Sequence, residues 1–337
     1  MIAACAGVNC GDLRPQNKHI TASLSPSDHH PAVILLMGPT ASGKTRLAIE
    51  LAHKLSGEII SVDSALVYRG MDIGTAKPNL REREDIPHHL IDILDPSEAY
   101  STGRFREDVL TGIDDIHRRG RLPILAGGTF LYFNALLKGL ADLPAANAKV
   151  RGAIEAEAIE LGWEVMHEKL AQIDPVAARR IHPNDPQRIQ RALEVYRLTG
   201  VSLSALCETP PAPLPFRFCK LALAPINREA LRTRIRQRFL AMIEQGLIDE
   251  VQALRSTGTL DPNLPSMRAV GYRQVWSYLE GKCTQDEMIE LGITATRQFA
   301  KRQMTWLRKE TDAFSLETED PLLLEKALQH CARFLED

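Results

Sequence analysis

The residues best suited to chemistry lie at positions 38–45, where the sequence reads GPTASGKT. This matches the phosphate-loop pattern G-x-x-x-x-G-K-[ST], and it stands between a compact apolar run at 33–37 and a segment with helical spacing. Backbone amides of such a loop surround phosphate oxygens, and the positive end of the following helix faces them. We therefore predict that this loop binds a diphosphate group. Its residues are Gly38, Pro39, Thr40, Ala41, Ser42, Gly43, Lys44 and Thr45.

Two side chains of this loop add charge and metal binding. Lys44 supplies a mobile positive charge, and Thr45 can offer its hydroxyl to Mg²⁺. Nucleotide triphosphatases with this loop usually carry an acidic residue at the end of another apolar strand. Here the apolar run at 123–126 continues into Gly-Gly-Thr without an acid. The sequence therefore permits a diphosphate that is not part of a nucleotide.

Asp63 follows the apolar run EIISV at 58–62, at the point where open α/β sheets place their ligands. A carboxylate beside a phosphate loop is electrostatically unfavourable unless it serves a metal ion, a cation or a proton transfer. We consider two functional interpretations, an indirect metal ligand and a general base, and one structural alternative, a helix or turn cap. The glycine-rich segment at 68–78 is predicted to be a loop of the site, where Lys77 either contacts a phosphate or is solvated.

Apolar runs alternate with helical patterns in the first part of the chain. Strands are predicted at 33–37, 58–62, 89–94 and 123–128, which favours an α/β, P-loop NTPase-like core with a parallel sheet flanked by helices. Residues 147–200 show only helical patterns, and a proline-rich stretch at 209–216 precedes a last strand near Cys219. We predict a core at 31–143 and 213–320 with C-terminal helices, and a helical insertion at 144–212.

Composition places the chain among ordinary globular proteins. Hydrophobic residues make up 44% and the formal net charge is −2, so a polyanionic partner would have to meet a local basic patch. The six cysteines form no C-x-x-C pair, which is typical of reduced thiols. No apolar run approaches ~20 residues. We expect a cytoplasmic, monomeric protein without membrane contact, and a disordered extension at 1–30 in which His29 and His30 are solvated.

Basic residues recur on predicted helices of the second half. One patch heads a helix at 187–191, another places Arg228, Arg232 and Arg236 on one helical face, and a third spans 297–308. Arg and Lys can hold a phosphate backbone, while aromatic side chains stack on unpaired bases. The alternative is a solvated helix face with Trp306 and Phe299 in the core. The aromatic residues near these patches are Tyr272, Trp276, Phe299 and Trp306.

Six ordered motifs closely resemble those of the bacterial tRNA dimethylallyltransferases, also called tRNA isopentenyltransferases. The likeness runs from about residue 31 to about residue 308, nearly the whole chain outside the N-terminal extension and the C-terminal end. The motifs are GPTASGKT at 38–45, ISVDSALVYRGMDIGTAKP at 60–78, LAGGTFLYF at 125–133, HPNDPQRIQRALEV at 182–195, RAVGYRQVWSYL at 268–279 and ATRQFAKRQMTWLR at 295–308.

The resemblance implies transfer of the dimethylallyl group from dimethylallyl diphosphate to N6 of adenosine 37, in tRNAs that read codons beginning with U. It also implies Mg²⁺ dependence and an insertion that grips the anticodon stem-loop. By resemblance Asp63 takes the proton of the adenine amine, Lys44 stabilises the leaving diphosphate, and Thr129 lies near the reacting base. The hydroxyls that would bind the diphosphate are those of Thr40, Ser42 and Thr45.

The same resemblance implies four segments that contact tRNA. They are Asp63, Ser64, Ala65 and Leu66; Gln187, Arg188, Ile189, Gln190 and Arg191; Arg268, Ala269, Val270, Gly271, Tyr272 and Arg273; and Lys301, Arg302, Gln303, Met304, Thr305, Trp306, Leu307 and Arg308.

One position departs from the family pattern. Asn147 stands where close relatives show Asp, so this chain carries no charge at that position. Two other functions stay open from the residues alone. A small-molecule or nucleoside kinase would use the same loop but lacks an evident second acid. A non-catalytic RNA-binding protein would leave Lys44, Thr45 and Asp63 without a purpose.

Overall fold

The computed structural model describes residues 30–208 and 212–336, and within them a parallel sheet carries helices on both faces. The strands are β1 (Ala32–Met37), β2 (Gly57–Val62), β3 (His88–His89), β4 (Leu122–Gly127), β5 (Arg217–Ala224) and β6 (Phe314–Glu317). Their order across the sheet is β3-β2-β4-β1-β5-β6, and every pairing is parallel. The predicted α/β, P-loop NTPase-like class is confirmed.

Helices make up most of the remaining described chain. Those of the first half are α1 (Lys44–Leu55), α2 (Thr102–Arg118), α3 (Phe130–Lys138), α4 (Ala148–Leu161), α5 (Trp163–Ile173) and α6 (Pro175–Arg180). Those of the second half are α7 (Pro186–Thr199), α8 (Leu203–Leu206), α9 (Arg228–Glu244), α10 (Leu247–Ser256), α11 (Tyr272–Leu279), α12 (Gln285–Leu307) and α13 (Leu323–Glu336).

The central strand β1 is apolar throughout because both faces of the sheet are covered. Ile34 and Leu36 face a cluster that includes residues of α1 and α13. Val33, Leu35 and Met37 face the other way, into a larger cluster built with α2, α3 and α9–α12. Alternate side chains of a strand point to opposite faces, so a strand covered on both sides reads as one continuous hydrophobic run.

The helices α4–α8 have a small hydrophobic core of their own. Ile154, Met166, Leu170 and Ile189 are buried against one another in it. The described chain from Pro31 onward forms one compact unit. The division into a core and an insertion at 144–212 therefore stays a prediction. The extension predicted at 1–30 lies, apart from His30, outside the described residues, as do the first prolines of the proline-rich stretch.

Two strand predictions are corrected by the structure. The strand expected at 89–94 is reduced to His88–His89, because Leu90 and Asp92 adopt positive φ angles of 59° and 58° that break an extended backbone. In the C-terminal part, predicted to be mostly helical, β6 adds a strand beside β5. No helix among the described residues is both long and apolar enough to span a membrane.

Candidate active site

The carboxyl ends of four neighbouring strands meet at one edge of the sheet. Because β2, β4, β1 and β5 run parallel, the segments that follow them lie side by side. The phosphate loop follows β1, Asp63 follows β2, and Thr129 follows β4 at the N-terminal cap position of α3. Side chains predicted from distant parts of the sequence therefore meet at this edge.

The phosphate loop is held by its own backbone and by α12. Gly43 adopts φ 84°, a left-handed conformation that favours glycine, directly before α1 begins. The amide of Thr40 donates to Oε1 of Gln303 at 2.8 Å. Nζ of Lys44 donates to the carbonyl of Pro39 at 2.5 Å. The lysine side chain thus folds back over the loop, where a bound anion would meet it.

Ser42 contributes a hydroxyl that has no partner among the described residues. The residue is fully buried, and its Oγ makes no hydrogen bond there. A buried polar atom without a partner is unfavourable, and such atoms call for an explanation such as an absent ligand or water. The carbonyl of Ser42 accepts from Oγ1 of Thr318 at 3.1 Å, so the residue after β6 fixes this part of the loop.

Two adjoining cavities lie over this edge of the sheet. The first, of about 320 Å³, is lined by the phosphate loop and Asp63. The second, of about 350 Å³, extends from it past the apolar side chains of Ile235, Phe239, Met242 and Val270. The residues that border both are Thr40, Ala41, Asp63, Thr75, Arg238 and Phe299. The site therefore offers a compartment for a diphosphate beside a less polar one.

The charged groups Lys44, Asp63 and Arg238 line the phosphate cavity, and two of them, Asp63 and Arg238, also border the second cavity. Burial lowers the pKa of Lys44 to about 7, the negative charge of Asp63 opposes that change, and the charge of Arg238 adds to it. Burial also lowers the pKa of Arg238, and again Asp63 opposes the change. Within the described residues the guanidinium of Arg238 makes no ion pair of contact length. A diphosphate would give both cations a partner.

Asp63 combines a structural contact with a place in the site. Its Oδ1 accepts from the amide of Ala65 at 2.8 Å, so the turn-cap interpretation describes a contact that is present. The same carboxylate lines both cavities, facing the side on which Lys44 lies. Capping and chemistry are compatible, because a carboxylate has several lone pairs.

Thr129 is one contact removed from the cavities. Its Oγ1 accepts from the amide of Ser64 at 3.1 Å. It lines neither cavity, whereas Ser64 lines the less polar one. In this arrangement Thr129 supports the segment that follows Asp63, and its predicted place near a reacting base stays a prediction.

Metal binding at this site depends on few protein groups. No cluster of three or more His, Cys, Asp or Glu side chains suited to a metal occurs in the part of the chain that the structure describes. Mg²⁺ commonly keeps several waters and binds one or two protein groups together with substrate phosphates. The exposed hydroxyl of Thr45 and the carboxylate of Asp63, which line the same cavity, fit that mode of binding.

Comparison with known proteins places this geometry in a family. A family model described as IPP transferase matches residues 66–310, and one described as isopentenyl transferase matches residues 31–92. The chain is 62% identical over 298 residues to the tRNA dimethylallyltransferase of Methylococcus capsulatus (strain ATCC 33009 / NCIMB 11132 / Bath), covering 88% of this chain and 96% of that relative. This chain belongs to the IPP transferase family.

Solved structures agree with that assignment. The tRNA isopentenylpyrophosphate transferase of Bacillus halodurans is 39% identical, with a TM-score of 0.65 over 90% of this chain and 95% of that one. A eukaryotic dimethylallyltransferase acting on tRNA is 32% identical, with a TM-score of 0.80 over 91% of this chain and 80% of that one. The P-loop core is therefore shared with structurally characterised IPP transferases.

The residues predicted to contact tRNA divide by position in this IPP transferase. Those that line the less polar cavity are Asp63, Ser64, Ala65, Arg268, Ala269, Val270 and Arg302. Those exposed elsewhere are Gln187, Arg188, Arg273, Lys301, Thr305, Trp306 and Arg308. Leu66 lines the phosphate cavity, and Met304 packs against the core. The exposed set offers Lys, Arg and an aromatic ring to a partner.

Several of the residues predicted to contact tRNA have buried side chains. They are Ile189, Tyr272, Gln303 and Leu307, and their contact with tRNA stays a prediction. Gly271 is buried as well. Tyr272 and Trp276 belong to the hydrophobic core rather than to a stacking surface. These residues have basic neighbours in the sequence, which led to the prediction of an exposed surface. In the structure their side chains pack into the protein interior.

Two arginines of the predicted basic patches have carboxylate partners of different strength. Arg191 donates to Oε2 of Glu194 at 2.8 Å and to the carbonyl of Pro144 at 2.7 Å. Arg232 pairs with Glu229. The carboxylate of Glu194 is fully buried, so Arg191 is a weaker candidate for a phosphate contact than its sequence context indicated. The Arg232–Glu229 pair is exposed, and exposed pairs contribute little, so it does not change the prediction for Arg232.

Lys77 and Asn147 have structural contacts. The Lys77 side chain is only 4% exposed and pairs with Asp72 and Asp92, so neither predicted alternative, a phosphate contact or solvation, is correct. The Asn147 side chain accepts from the amide of Val150 at 3.1 Å and caps α4. Asn caps a helix about as well as Asp does, so the departure from the family pattern is explained without charge.

Sequence reasoning missed the roles of several residues in this member of the IPP transferase family. Arg238 reaches both cavities, yet nothing in its local pattern separates it from the other arginines of α9. Gln303 was assigned to the RNA surface, although it binds the phosphate loop. In an amphipathic helix every third or fourth residue is expected to be buried. That periodicity is the one sequence signal that could have predicted a buried Gln303.

Proposed function

We propose that the protein transfers the dimethylallyl group of dimethylallyl diphosphate to N6 of adenosine 37 in tRNAs that read codons beginning with U, and releases diphosphate. Membership of the IPP transferase family makes the protein a tRNA prenyltransferase. The proposal adds the donor, the acceptor atom and the position in the RNA. Its main support is that Lys44 and Asp63 line one cavity that continues into a less polar one.

Asp63 is proposed as the general base. The exocyclic amine of adenine is a weak nucleophile, because its lone pair is delocalised into the ring. A base that removes its proton as the new C–N bond forms lowers the barrier. Asp63 stands on the border of the two cavities, between the diphosphate compartment and the compartment proposed for the adenine and the five-carbon group.

The phosphate loop is proposed to stabilise the leaving group. As the allylic C–O bond breaks, negative charge grows on the diphosphate. Lys44, Arg238 and the hydroxyl of Ser42 line or border the compartment where that charge would develop. Charged and polar donors that are already in place stabilise a developing charge without reorganising at the moment of reaction.

Mg²⁺ is proposed as the cofactor, held by Thr45 with Asp63 nearby. When bound it would neutralise part of the diphosphate charge. The other residues of the phosphate loop would contact the diphosphate directly rather than through Mg²⁺. Thr40 and Gly43 line the same cavity, and the backbone of a glycine can approach a ligand closely.

The RNA is proposed to bind across the exposed basic groups and to present an extruded base. Chemistry on a base requires an accessible nucleotide, so adenosine 37 leaves its stack in the anticodon loop. The segment of Arg268, Ala269 and Val270 lines the less polar cavity and would guide the base toward Asp63. We further propose that the protein acts as a monomer in the cytoplasm.

A direct test uses radiolabelled dimethylallyl diphosphate with an unmodified tRNA transcript in the absence of ATP. The proposal expects label in the RNA, and nuclease digestion should recover it as N6-dimethylallyladenosine. A transcript with guanosine at position 37 is the matched control and should stay unlabelled. Label on the control transcript would contradict the proposed position. A requirement for ATP as the group donor would point to kinase chemistry instead.

A further inference from the structure

Glu250 holds a segment of the active-site wall from outside the cavities. It stands on α10, and its Oε2 accepts from the backbone amides of Asp72 at 2.9 Å and Ile73 at 2.7 Å. Its Oε1 accepts from the amide of Gly74 at 3.2 Å and from the hydroxyl of Tyr272 at 2.5 Å. One carboxylate thus binds consecutive amides of a segment that lies 176–178 residues earlier in the chain.

The segment that Glu250 holds faces the site. Gly74 and Thr75 line the less polar cavity, and Thr75 also lines the phosphate cavity. Asp63 lines both. Glu250 itself lines neither, so any effect it has on the reaction must pass through the wall.

Tyr272 fits directly against this wall. A Cβ atom built on Gly74 would lie 2.5 Å from Cε2 of the Tyr272 ring, so the backbone packs flush on the ring and leaves no room for a side chain. Burial raises the pKa of the Tyr272 hydroxyl, and the charge of Glu250 raises it further. The hydroxyl therefore stays a neutral donor to that carboxylate.

The contact joins two segments that line the same cavity. Tyr272 begins α11 two residues after the segment 268–270, which lines the cavity together with Gly74. At the far end of the wall, Nζ of Lys77 donates to the carbonyl of Tyr68 at 2.8 Å and to Oδ1 of Asp72 at 2.6 Å. The wall is thus held at one end by Lys77 and along its length by Glu250.

We propose that Glu250 is a positioning residue for prenyl transfer, which fixes the wall at 72–75 against Tyr272 and so sets the donor in register with Asp63. The inference rests on the proposed function, because it needs a donor in these cavities. A displacement of about 1 Å in a reacting site can cost roughly 10²-fold in rate. Loss of the anchor should therefore impair turnover and donor binding without removing any group that touches the substrate.

The test compares Glu250→Ala, Glu250→Gln and Asp249→Ala in the labelling assay with saturating tRNA. Asp249 is the matched control, because it is acidic, exposed and in the same first turn of α10. We expect Glu250→Ala to lower kcat/KM for dimethylallyl diphosphate about 10- to 100-fold, with both a lower kcat and a higher KM. Gln keeps one acceptor oxygen, so Glu250→Gln should fall between Ala and wild type. Asp249→Ala should behave as wild type.

Hydrogen exchange supplies a readout that needs no activity. Amides of a peptide covering 72–75 should exchange faster in Glu250→Ala and Glu250→Gln than in Asp249→Ala. If Glu250→Ala does not fold, Glu250→Gln carries the same test. The proposal would be overturned if the folded variant had the KM of wild type for the donor and its kcat fell only in proportion to the fraction of misfolded protein. Glu250 would then have a merely structural role. Absence of labelling by wild type and Asp249→Ala alike would instead overturn the proposed function.

Discussion

Oε1 of Gln303 accepts a hydrogen bond from the amide of Thr40 at 2.8 Å, although 263 residues separate the two in the chain. Nε2 of the same side chain donates to the carbonyl of Gly128 at 2.8 Å. One buried amide of α12 thus ties the phosphate loop to the segment that follows β4. Gln303 therefore positions the backbone of the phosphate loop.

Replacing Gln303 by Ala should weaken both folding and donor binding. The change leaves a backbone amide and a carbonyl without their partner, which typically costs about 1–3 kcal/mol for each buried group that stays unsatisfied. We expect a lower free energy of unfolding in urea and a higher KM for dimethylallyl diphosphate. Gln298→Ala, an exposed glutamine on the same helix, is the control. Equal KM values for the two variants would contradict the role of Gln303 in the loop.

Ser42→Ala should separate stability from binding. The hydroxyl is buried without a partner among the described residues, so its removal should not lower the free energy of unfolding in the absence of ligand. Donor affinity should fall, because a phosphate oxygen loses a hydrogen bond. Thermal unfolding with and without inorganic diphosphate measures both effects, and the ligand-induced rise in Tm should shrink. A full ligand-induced rise in the variant would show that the hydroxyl does not face the anion.

Asp63→Ala tests the general base. The substitution should reduce kcat by roughly 10²–10⁴-fold, the usual range for this type of catalysis, and leave tRNA affinity nearly intact. Single-turnover labelling and a gel shift measure the two quantities. Asp114→Asn, on the exposed side of α2, controls for the loss of one negative charge. Retention of activity in Asp63→Ala would assign the proton transfer elsewhere.

Arg188→Ala and Arg191→Ala should differ, although the two residues lie one helical turn apart. Arg188 is exposed, and its ion-pair partner among the described residues is Asp185, the N-terminal cap of α7, at 3.2 Å. Its removal should weaken tRNA binding and reduce the salt dependence by about one phosphate contact. Arg191 is held by Glu194 and Pro144, so its removal should mainly destabilise the helices α4–α8. Filter-binding titrations at several salt concentrations distinguish the two outcomes. If the logarithm of the tRNA affinity fell equally steeply with the logarithm of salt concentration for wild type and both variants, α7 would not be part of the RNA-binding surface.

The stability of the helices α4–α8 should depend on pH through Glu194. Burial alone would raise the pKa of Glu194, but hydrogen bonds from Arg151, Asn147 and Arg191 lower it below its usual value of 4.5. A carboxyl whose pKa is lower in the folded state contributes stability above about pH 4.5, and the contribution is lost as pH falls through the folded-state pKa. The stability difference between wild type and Glu194→Gln should therefore shrink below pH 4.5.

Urea unfolding of wild type and Glu194→Gln at pH 7 and at pH values below 4.5 measures that difference. Glu168→Gln, an exposed position on α5, is the matched control and should track wild type at each pH. A difference that stays constant through the acid range would show that the charge on Glu194 does not carry the stability.

Local sequence patterns were sufficient to predict those parts of the candidate site whose residues are close together in the sequence. A phosphate loop needs its glycines, lysine and hydroxyl within eight consecutive residues, and its strand and helix are adjacent to it. Asp63 follows an apolar strand, and ligands of parallel sheets lie at strand ends. The helices α4–α8 were visible as a long stretch of helical pattern. Short elements were less visible, because two residues in β3 and four in β6 carry almost no periodicity.

Only the tertiary structure decided which side chains serve the site from a distance. Gln303, Thr318 and Glu250 each bind a segment more than 170 residues away, and such contacts depend on strand order and helix packing, which spacing does not encode. The same packing turned Tyr272 into the core and gave Arg191 an internal partner. Residue type and spacing thus determined the chemistry available to this protein, while long-range burial and hydrogen bonding determined which groups could use it.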